Sequence, residues 1–334
     1  MNVIVDAYGG DNAPLEILKG TALSVRELGV TALVCGKEQE LRTLAEREGI
    51  SLDGMSFAHA DTVMPVEADP TTILKAYADS SMAVGFRLLA QGAGDAIVTA
   101  GSTGAAVVGG TLITKRIKGI KRPALGTIIP NNAGCYMLMD IGANAECRPE
   151  MLFQFALMSH IYMEKIIGIP NPRVGVVNIG TEETKGLDLQ IETGRLLRAS
   201  HLNFIGNVEA RELPLGGCDI AVTDGFTGNV VLKLTEGMAK MMSGEVKEML
   251  MAGVTTKMAA LLLKNGLQKF RAKLDYTEYG GAPLMGSAKP VIKAHGSSNA
   301  KAFKNAIRQA QAYHNQNVIG EIEQALAENT AQAD

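Results

Sequence analysis

The residues best suited to chemistry stand at turns. Ile220, Ala221 and Val222 form an apolar run that leads into Asp224-Gly225, and a second pair, Gly228-Asn229, follows before a helical pattern sets in near Leu232. Strand, glycine-rich turn and helix start together present free backbone N–H groups to an anion, and the helix dipole adds to the attraction. Asp224, Thr227 and Asn229 are the short polar side chains of that turn. The same spacing fits an ordinary loop with a good N-cap. What favours an anion site is repetition along the chain. Gly9-Gly10-Asp11 follows the run Asn2–Ala7, Gly101-Ser102-Thr103-Gly104 follows Asp95–Ala100, and Asp140 to Asn144 closes the run Gly134–Asp140. Hydroxyls beside free N–H groups at a helix start make a cradle for phosphate or an oxyanion. Lys185, in the turn after Arg173–Ile179, has the charge to neutralise phosphate, or to pair with Glu182 on a solvated helix start. His295 precedes Gly296, Ser297 and Ser298, where a helix should begin; it suits either proton chemistry or a structural role.

These turns need a frame. Short apolar runs alternate with helical patterns, which predicts a largely parallel sheet covered by helices on both faces. Strands are expected at Asn2–Ala7, Thr31–Gly36, Met55–Ala60, Asp95–Ala100, Arg173–Ile179, Asn203–Val208 and Pro290–Ala294, with Ala124–Pro130 and Gly134–Asp140 paired through Asn131-Asn132. Long helices are expected over Thr71–Gln91, from Pro149 to Ile167, from Leu232 to Met251, and from Ser298 to Leu326. In open α/β sheets ligands bind at the carboxyl ends of strands, where all of these polar turns fall. No linker or internal repeat divides the chain, so residues 1–330 read as one catalytic unit, or as two intertwined subdomains.

Composition bounds the function. Of 334 residues 46% are hydrophobic and 20% charged, an ordinary globular balance, and the net charge of -3 gives no sign of nucleic-acid binding. Cys35, Cys135, Cys147 and Cys218 show no CxxC spacing, and reduced thiols in the cytosol are expected. No His, Cys and carboxylate cluster has metal-ligand spacing, so no metal is expected. No apolar run is long enough to span a bilayer. One stretch stands apart: Val254, Met258, Leu261, Leu262, Leu267, Phe270 and Leu274 give a broad apolar face, flanked by Lys257, Lys264, Lys269, Arg271 and Lys273. Residues 245–275 therefore read as an amphipathic arm for an anionic membrane surface, an acidic partner or a dimer contact.

The motifs in order resemble those of the bacterial phosphate acyltransferase family. They are Asp6-Ala7-Tyr8-Gly9-Gly10-Asp11 with Pro14, Asp79-Ser80-Ser81-Met82, Gly101-Ser102-Thr103-Gly104, Asp140 to Asn144, Asn178 to Gly186, Asn203 to Glu209, Asp224 to Asn229, and Lys293 to Ser298. The resemblance runs from about residue 1 to 320. It implies a three-layer α/β/α sandwich of the isocitrate/isopropylmalate dehydrogenase-like type, shared with phosphotransacetylases, in a homodimer. It implies transfer of a long-chain acyl group from acyl carrier protein to inorganic phosphate, with no cofactor. The acyl phosphate product would feed a membrane glycerol-3-phosphate acyltransferase, and the enzyme would be cytoplasmic and peripherally membrane-associated. Three positions depart from the family pattern: Ser102 stands for Asn, the basic run before Asp79 thins to Lys75, and Tyr8 stands for Met.

Such a reaction implies roles. Phosphate must be stripped of water, held and aimed at a thioester carbonyl, and the tetrahedral oxyanion must be stabilised. Backbone N–H groups at Gly9, Gly10, Ser102, Thr103, Gly104, Gly228 and Asn229 suit both tasks. Lys185 would neutralise charge, His295 would orient phosphate or protonate the leaving thiolate, Asn144 and Asn229 would be neutral donors, and Asp11, Asp224 and Ser297 would complete the phosphate site. Cys147 as an acyl-enzyme nucleophile is the weaker idea, because no base stands near it in sequence. Three alternatives share parts of this pattern: a short-chain phosphotransacetylase using coenzyme A, a dehydrogenase, and a non-catalytic carrier-protein or acyl-phosphate binding module. The second would need a nicotinamide site, and no GxGxxG follows a strand.

Overall fold

Alternating apolar runs and turns fold into one continuous sheet in the computed structural model, which describes residues 1–267 and 280–331. The strands are β1 (Asn2–Asp6), β2 (Thr31–Gly36), β3 (Met55–His59), β4 (Ala96–Thr99), β5 (Ala124–Asn131), β6 (Gly134–Met139), β7 (Val174–Asn178), β8 (Phe204–Glu209), β9 (Ile220–Val222), β10 (Ala282–Met285) and β11 (Val291–Lys293). Their order across the sheet is β3-β2-β1-β4-β11-β10-β5-β6-β9-β7-β8. The ladders at both wings are parallel, whereas β11/β10, β10/β5 and β5/β6 are antiparallel. The two parallel wings therefore run in opposite directions, joined through an antiparallel centre.

The helices are α1 (Leu15–Leu28), α2 (Glu38–Glu48), α3 (Ser81–Ala90), α4 (Thr103–Val108), α5 (Pro149–Tyr162), α6 (Asp188–Arg198), α7 (Gly225–Met251), α8 (Val254–Leu262), α9 (Ala300–Asn315) and α10 (Val318–Ala331). Side chains alternate across a strand, so each wing is glued on two faces. Val3 and Val5 of β1 pack with Ile17 of α1 and with Phe303 and Ile307 of α9. Ile4, between them, packs on the other face with Phe86 and Leu89 of α3. The second wing buries Met137, Met139, Val174 and Val176 against Leu152, Phe155 and Met158 of α5.

Three expected elements differ. Thr71–Gln91 is not one helix: Pro70–Leu74 is a 3-10 turn capped by Asp69, and α3 starts afresh at Ser81, where the Ser80 hydroxyl accepts the Ala83 N–H. The final helix breaks at Asn317, which adopts a left-handed φ of 49°. Helix α7 starts at Gly225 rather than near Leu232. After its first turns α7 leaves the core, with Leu234, Met238, Met241 and Met242 exposed, and Val254, Met258, Leu261 and Leu262 of α8 are exposed too. Of the expected amphipathic arm, Lys269, Phe270, Arg271, Lys273 and Leu274 lie outside the described residues. Among the described residues no helix is long and apolar enough to cross a membrane.

Candidate active site

The site is built from strand ends of both wings. A cleft of about 430 Å³ is lined by Gly101, Thr103 and Gly104 after β4, by Ile141 and Gly142 after β6, by Asn229, Lys233 and Glu236 of α7, and by Lys293, His295 and Gly296 after β11. Asp11 lines it too, and also lines a smaller adjoining hollow of about 160 Å³ formed by Gly9, Gly10 and Ser81.

The floor begins at Asp6, the last residue of β1. Its carboxylate is buried and accepts hydrogen bonds from the hydroxyls of Ser81 (2.5 Å) and Thr99 (2.6 Å). Burial pushes this carboxyl above the usual range, and those two hydroxyls, the Tyr8 N–H and the Lys293 charge oppose the shift. Gly9 is glycine because a Cβ there would meet Asp6 Oδ2 and the Gly101 nitrogen at 2.5 Å. Backbone thus packs on backbone, and the turns after β1 and β4 sit side by side. Asp11 N–H donates to the Gly296 carbonyl (2.8 Å), which ties on the turn after β11.

Lys293 is the group that the sequence reading missed. Its side chain is buried at the end of β11, and its ammonium donates to the Ala100 carbonyl (3.2 Å) and the Ala294 carbonyl. Burial pulls its pKa down to about 8, against the attraction of Asp6 and Asp11. A lysine inside an expected strand was the signal available in the sequence. His295 follows, with its side chain 39% exposed. Burial, opposed by Glu236 and helped by the repulsion of Lys233 and Lys293, lowers its pKa, which favours the neutral ring. The Ser297 N–H donates to Nδ1 (3.2 Å), which puts the ring proton on Nε2, 3.9 Å from Glu236. Glu236 also pairs with Lys233 at 2.7 Å.

At the start of α4 the Ser102 hydroxyl caps Ala105 N–H. The N–H groups of Thr103 and Gly104 lack an intrahelical partner, as first-turn donors must, and both residues line the cleft. The arrangement sets one buried cation and two oriented dipoles around a hollow, which is what a small oxyanion needs.

Of the expected residues, the cleft and its hollow bring together Gly9, Gly10, Asp11, Thr103, Gly104, Asn229 and His295. Ser102 is buried behind them as the cap. Gly228 and Asp224 are not in the lining. The Gly228 N–H is spent on the Asp224 carbonyl within α7, and Asp224 caps Thr227 (2.8 Å), so the free cradle expected there is helix instead. Asn144 holds the turn after β6, its amide donating to Asp140 (2.9 Å) and the Pro123 carbonyl (2.8 Å). Ser297 buttresses His295 at 2.8 Å. Lys185 is exposed on the loop after β7, away from the cleft lining, with its carbonyl held by Asn178. Cys147 has a thiol pushed up to about 12 by burial and by Asp140, the opposite of an activated nucleophile. Among the described residues no group of three metal-ligating side chains occurs.

A family described as "Fatty acid synthesis protein" matches residues 1–321. The chain belongs to that family. A relative named "Phosphate acyltransferase" from Caldanaerobacter subterraneus subsp. tengcongensis is 46% identical over 327 residues, covering 98% of this chain and 97% of its own length. Another of that name from Clostridioides difficile is 42% identical over 328 residues, covering 98% and 96%. Among solved structures, a phosphotransacetylase from Streptococcus pyogenes superposes with a TM-score of 0.62 at 19% identity, over 93% of this chain and 94% of that one. A branched-chain phosphotransacylase from Enterococcus faecalis gives 0.57 at 13% identity, over 94% and 99%. The likeness shows that this fatty acid synthesis family member has the phosphotransacetylase fold, an α/β/α sandwich on a mixed, largely parallel sheet.

Proposed function

We propose that the chain is a phosphate acyltransferase that moves a long-chain acyl group from the thiol of acyl carrier protein to inorganic phosphate. The observation that carries this reading is the cleft, which Lys293, Thr103 and Gly104 line together. Full-length relatives named for that activity supply the reaction class. In the reaction a phosphate oxygen attacks the thioester carbonyl, a C–O bond forms, and the C–S bond breaks with its electron pair leaving on sulfur. Lys293 and the α4 start hold phosphate and stabilise the developing oxyanion. Neutral His295 orients phosphate through Nε2–H, and Asn229 donates from the opposite wall. The acyl phosphate serves phospholipid synthesis. The test is acyl phosphate formation from palmitoyl-acyl carrier protein, trapped with hydroxylamine, with palmitoyl-coenzyme A alongside. Product from coenzyme A alone favours the short-chain type of enzyme, and product from neither favours a binding module.

Lys293 also sets a pH dependence. Below pH 8 it carries the charge that phosphate needs, and above about 8 the free enzyme loses it. The profile of kcat/KM for phosphate reports free-enzyme groups. It should therefore fall on the alkaline side, approaching tenfold per pH unit, with an apparent pKa near 8. Phosphate is already dianionic there, so its own titration does not produce the fall. A flat profile from pH 7 to 10 would remove Lys293 from phosphate binding. In folding the sign is opposite. Between about 8 and the ordinary 10.5 the unfolded chain holds the extra proton, so this group makes the fold more stable as pH rises.

Lys185 belongs to the proposal as a charge that reaches the reacting groups only when its loop moves. Lys185→Ala should then lower kcat with the melting temperature unchanged; unaltered kinetics would confine it to the surface. The exposed arm of α7 and α8 serves as a dimer or membrane contact. Its support is a row of apolar side chains at Met238, Met242, Met258, Leu261 and Leu262 with Lys257 and Lys264 alongside. Sedimentation mass and co-flotation with anionic vesicles separate those two uses.

A further inference from the structure

Beyond the cleft, a hollow of about 980 Å³ lies at the far end of α4. Its rim carries Lys115, Arg116, Lys118, Lys121, Arg122 and Arg148, all exposed, against only Glu146 and Glu150. Among the described residues none of the six cations forms an ion pair, although such pairs are common elsewhere on this surface. An unpaired cluster of one sign makes a local field that steers an oppositely charged partner.

The backbone that carries five of these cations is also anchored. Ile117 and Ile120 are buried and anchor the segment 115–122 in the core. The Ile117 N–H donates to the Gly286 carbonyl at 2.9 Å. Gln154 clamps the turn from below, accepting from the Lys121 N–H (2.8 Å) and donating to the Gly119 carbonyl (3.0 Å). A solvated lysine run on a loose loop would carry no such fittings, and an anchored backbone loses less entropy when a partner docks.

The hollow and the cleft stand at the two ends of one helical stretch. Thr103 and Gly104 line the cleft, whereas Thr111 and Leu112 line the basic hollow, on the helical stretch that continues from α4 to Ile113. Helical spacing places Gly104, Val107, Val108 and Thr111 on one face, none of them fully buried. The loop after β6 likewise gives Ile141 and Gly142 to the cleft and Cys147 and Arg148 to the hollow. The two ends of the α4 stretch are about 15 Å apart by helical rise. A basic rim at one end and a reacting site at the other suits a donor delivered on a flexible arm.

We propose that this rim is the docking face for the acidic carrier protein and that its thioester-bearing arm reaches the cleft along α4. The inference rests on the acyl-transfer reading given above. A membrane surface fits less well, because the rim is concave and Leu112 is its one large exposed apolar residue. The experiment compares wild type with Lys118→Glu/Lys121→Glu and, to guard against misfolding, Lys118→Gln/Lys121→Gln. Both positions lie outside the catalytic cleft. Binding of the unacylated carrier protein is measured directly, so the outcome does not depend on turnover. Its affinity should fall about tenfold or more in the double Glu variant, less in the Gln variant, with a shallower salt dependence. The KM for phosphate, and turnover of a palmitoyl-pantetheine thioester that lacks the protein, should stay as in wild type. Unchanged carrier affinity in folded variants overturns the proposal, as does a loss confined to anionic vesicles. Wild type that binds carrier but forms no acyl phosphate would instead overturn the reaction while leaving the docking face in place.

Discussion

Lys293→Met should give a folded protein that makes almost no acyl phosphate. Methionine fills nearly the same volume and keeps the apolar stem of the side chain, so packing at the end of β11 survives. What disappears is a cation held at the edge of the cleft with its pKa drawn down to about 8. Asp6 would lose that charge, yet it keeps the Ser81 and Thr99 hydroxyls, and its carboxyl, already raised by burial, can take a proton rather than remain an unpaired charge. Loss of a group that stabilises a transition-state oxyanion costs about 10²–10³-fold in rate. The effect should fall on kcat/KM for phosphate, and binding of the carrier protein should be untouched. Wild-type turnover in the folded variant would show that the cleft works without this lysine.

The second large effect is structural. A Cβ on Gly228 would lie 1.8 Å from the Asp140 carbonyl oxygen and 2.9 Å from its carbon. Both are backbone atoms in a turn fixed by the Asp140 carboxylate, which accepts the N–H groups of Leu125, Gly142, Ala143 and Asn144. Neither partner can yield cheaply, so α7 must lift away from β6. Gly228→Ala should therefore destabilise the protein by about 4 kcal/mol or more, at the far end of single-substitution effects. Thermal melting reads this directly, and loss of activity at temperatures below the melt should accompany it, because Asn229, Lys233 and Glu236 ride on α7. A melting temperature within a degree or two of wild type would mean that α7 is not seated as described.

That contact also explains what the sequence did and did not disclose. Strand ends were legible, because each apolar run stops at glycine and short polar residues, and most of the anion-site candidates placed there line the cleft or its hollow. The start of α7 was not. Gly225 and Gly228 are poor helix formers, so local propensity argued for a loop. Tertiary approach overrides it, since only glycine lets α7 begin against the backbone of Asn144 and Asp140. The helix expected over Thr71–Gln91 failed for a related reason: Asp69 and Ser80 both act as caps, so the segment has two starts. Lys293 was not legible as a site residue because its surroundings come from β1, β4 and the turn after β11. Lys115 to Arg122 escaped notice because nothing in the local sequence tells that Ile117 and Ile120 are anchors and that Gln154 clamps the turn.

The path of the chain through the sheet has a consequence for biogenesis. β1 to β4 build one wing, β5 to β9 the other, and only then do β10, β11 and α9 return to complete the first. On the ribosome the first wing must wait, its edge at β4 unpaired and the apolar flank of α1 uncovered, until β10, β11 and α9 have emerged. Pairing strands so distant in sequence is slow. The returning piece carries Lys293 and His295, so the cleft is incomplete until that piece has been made.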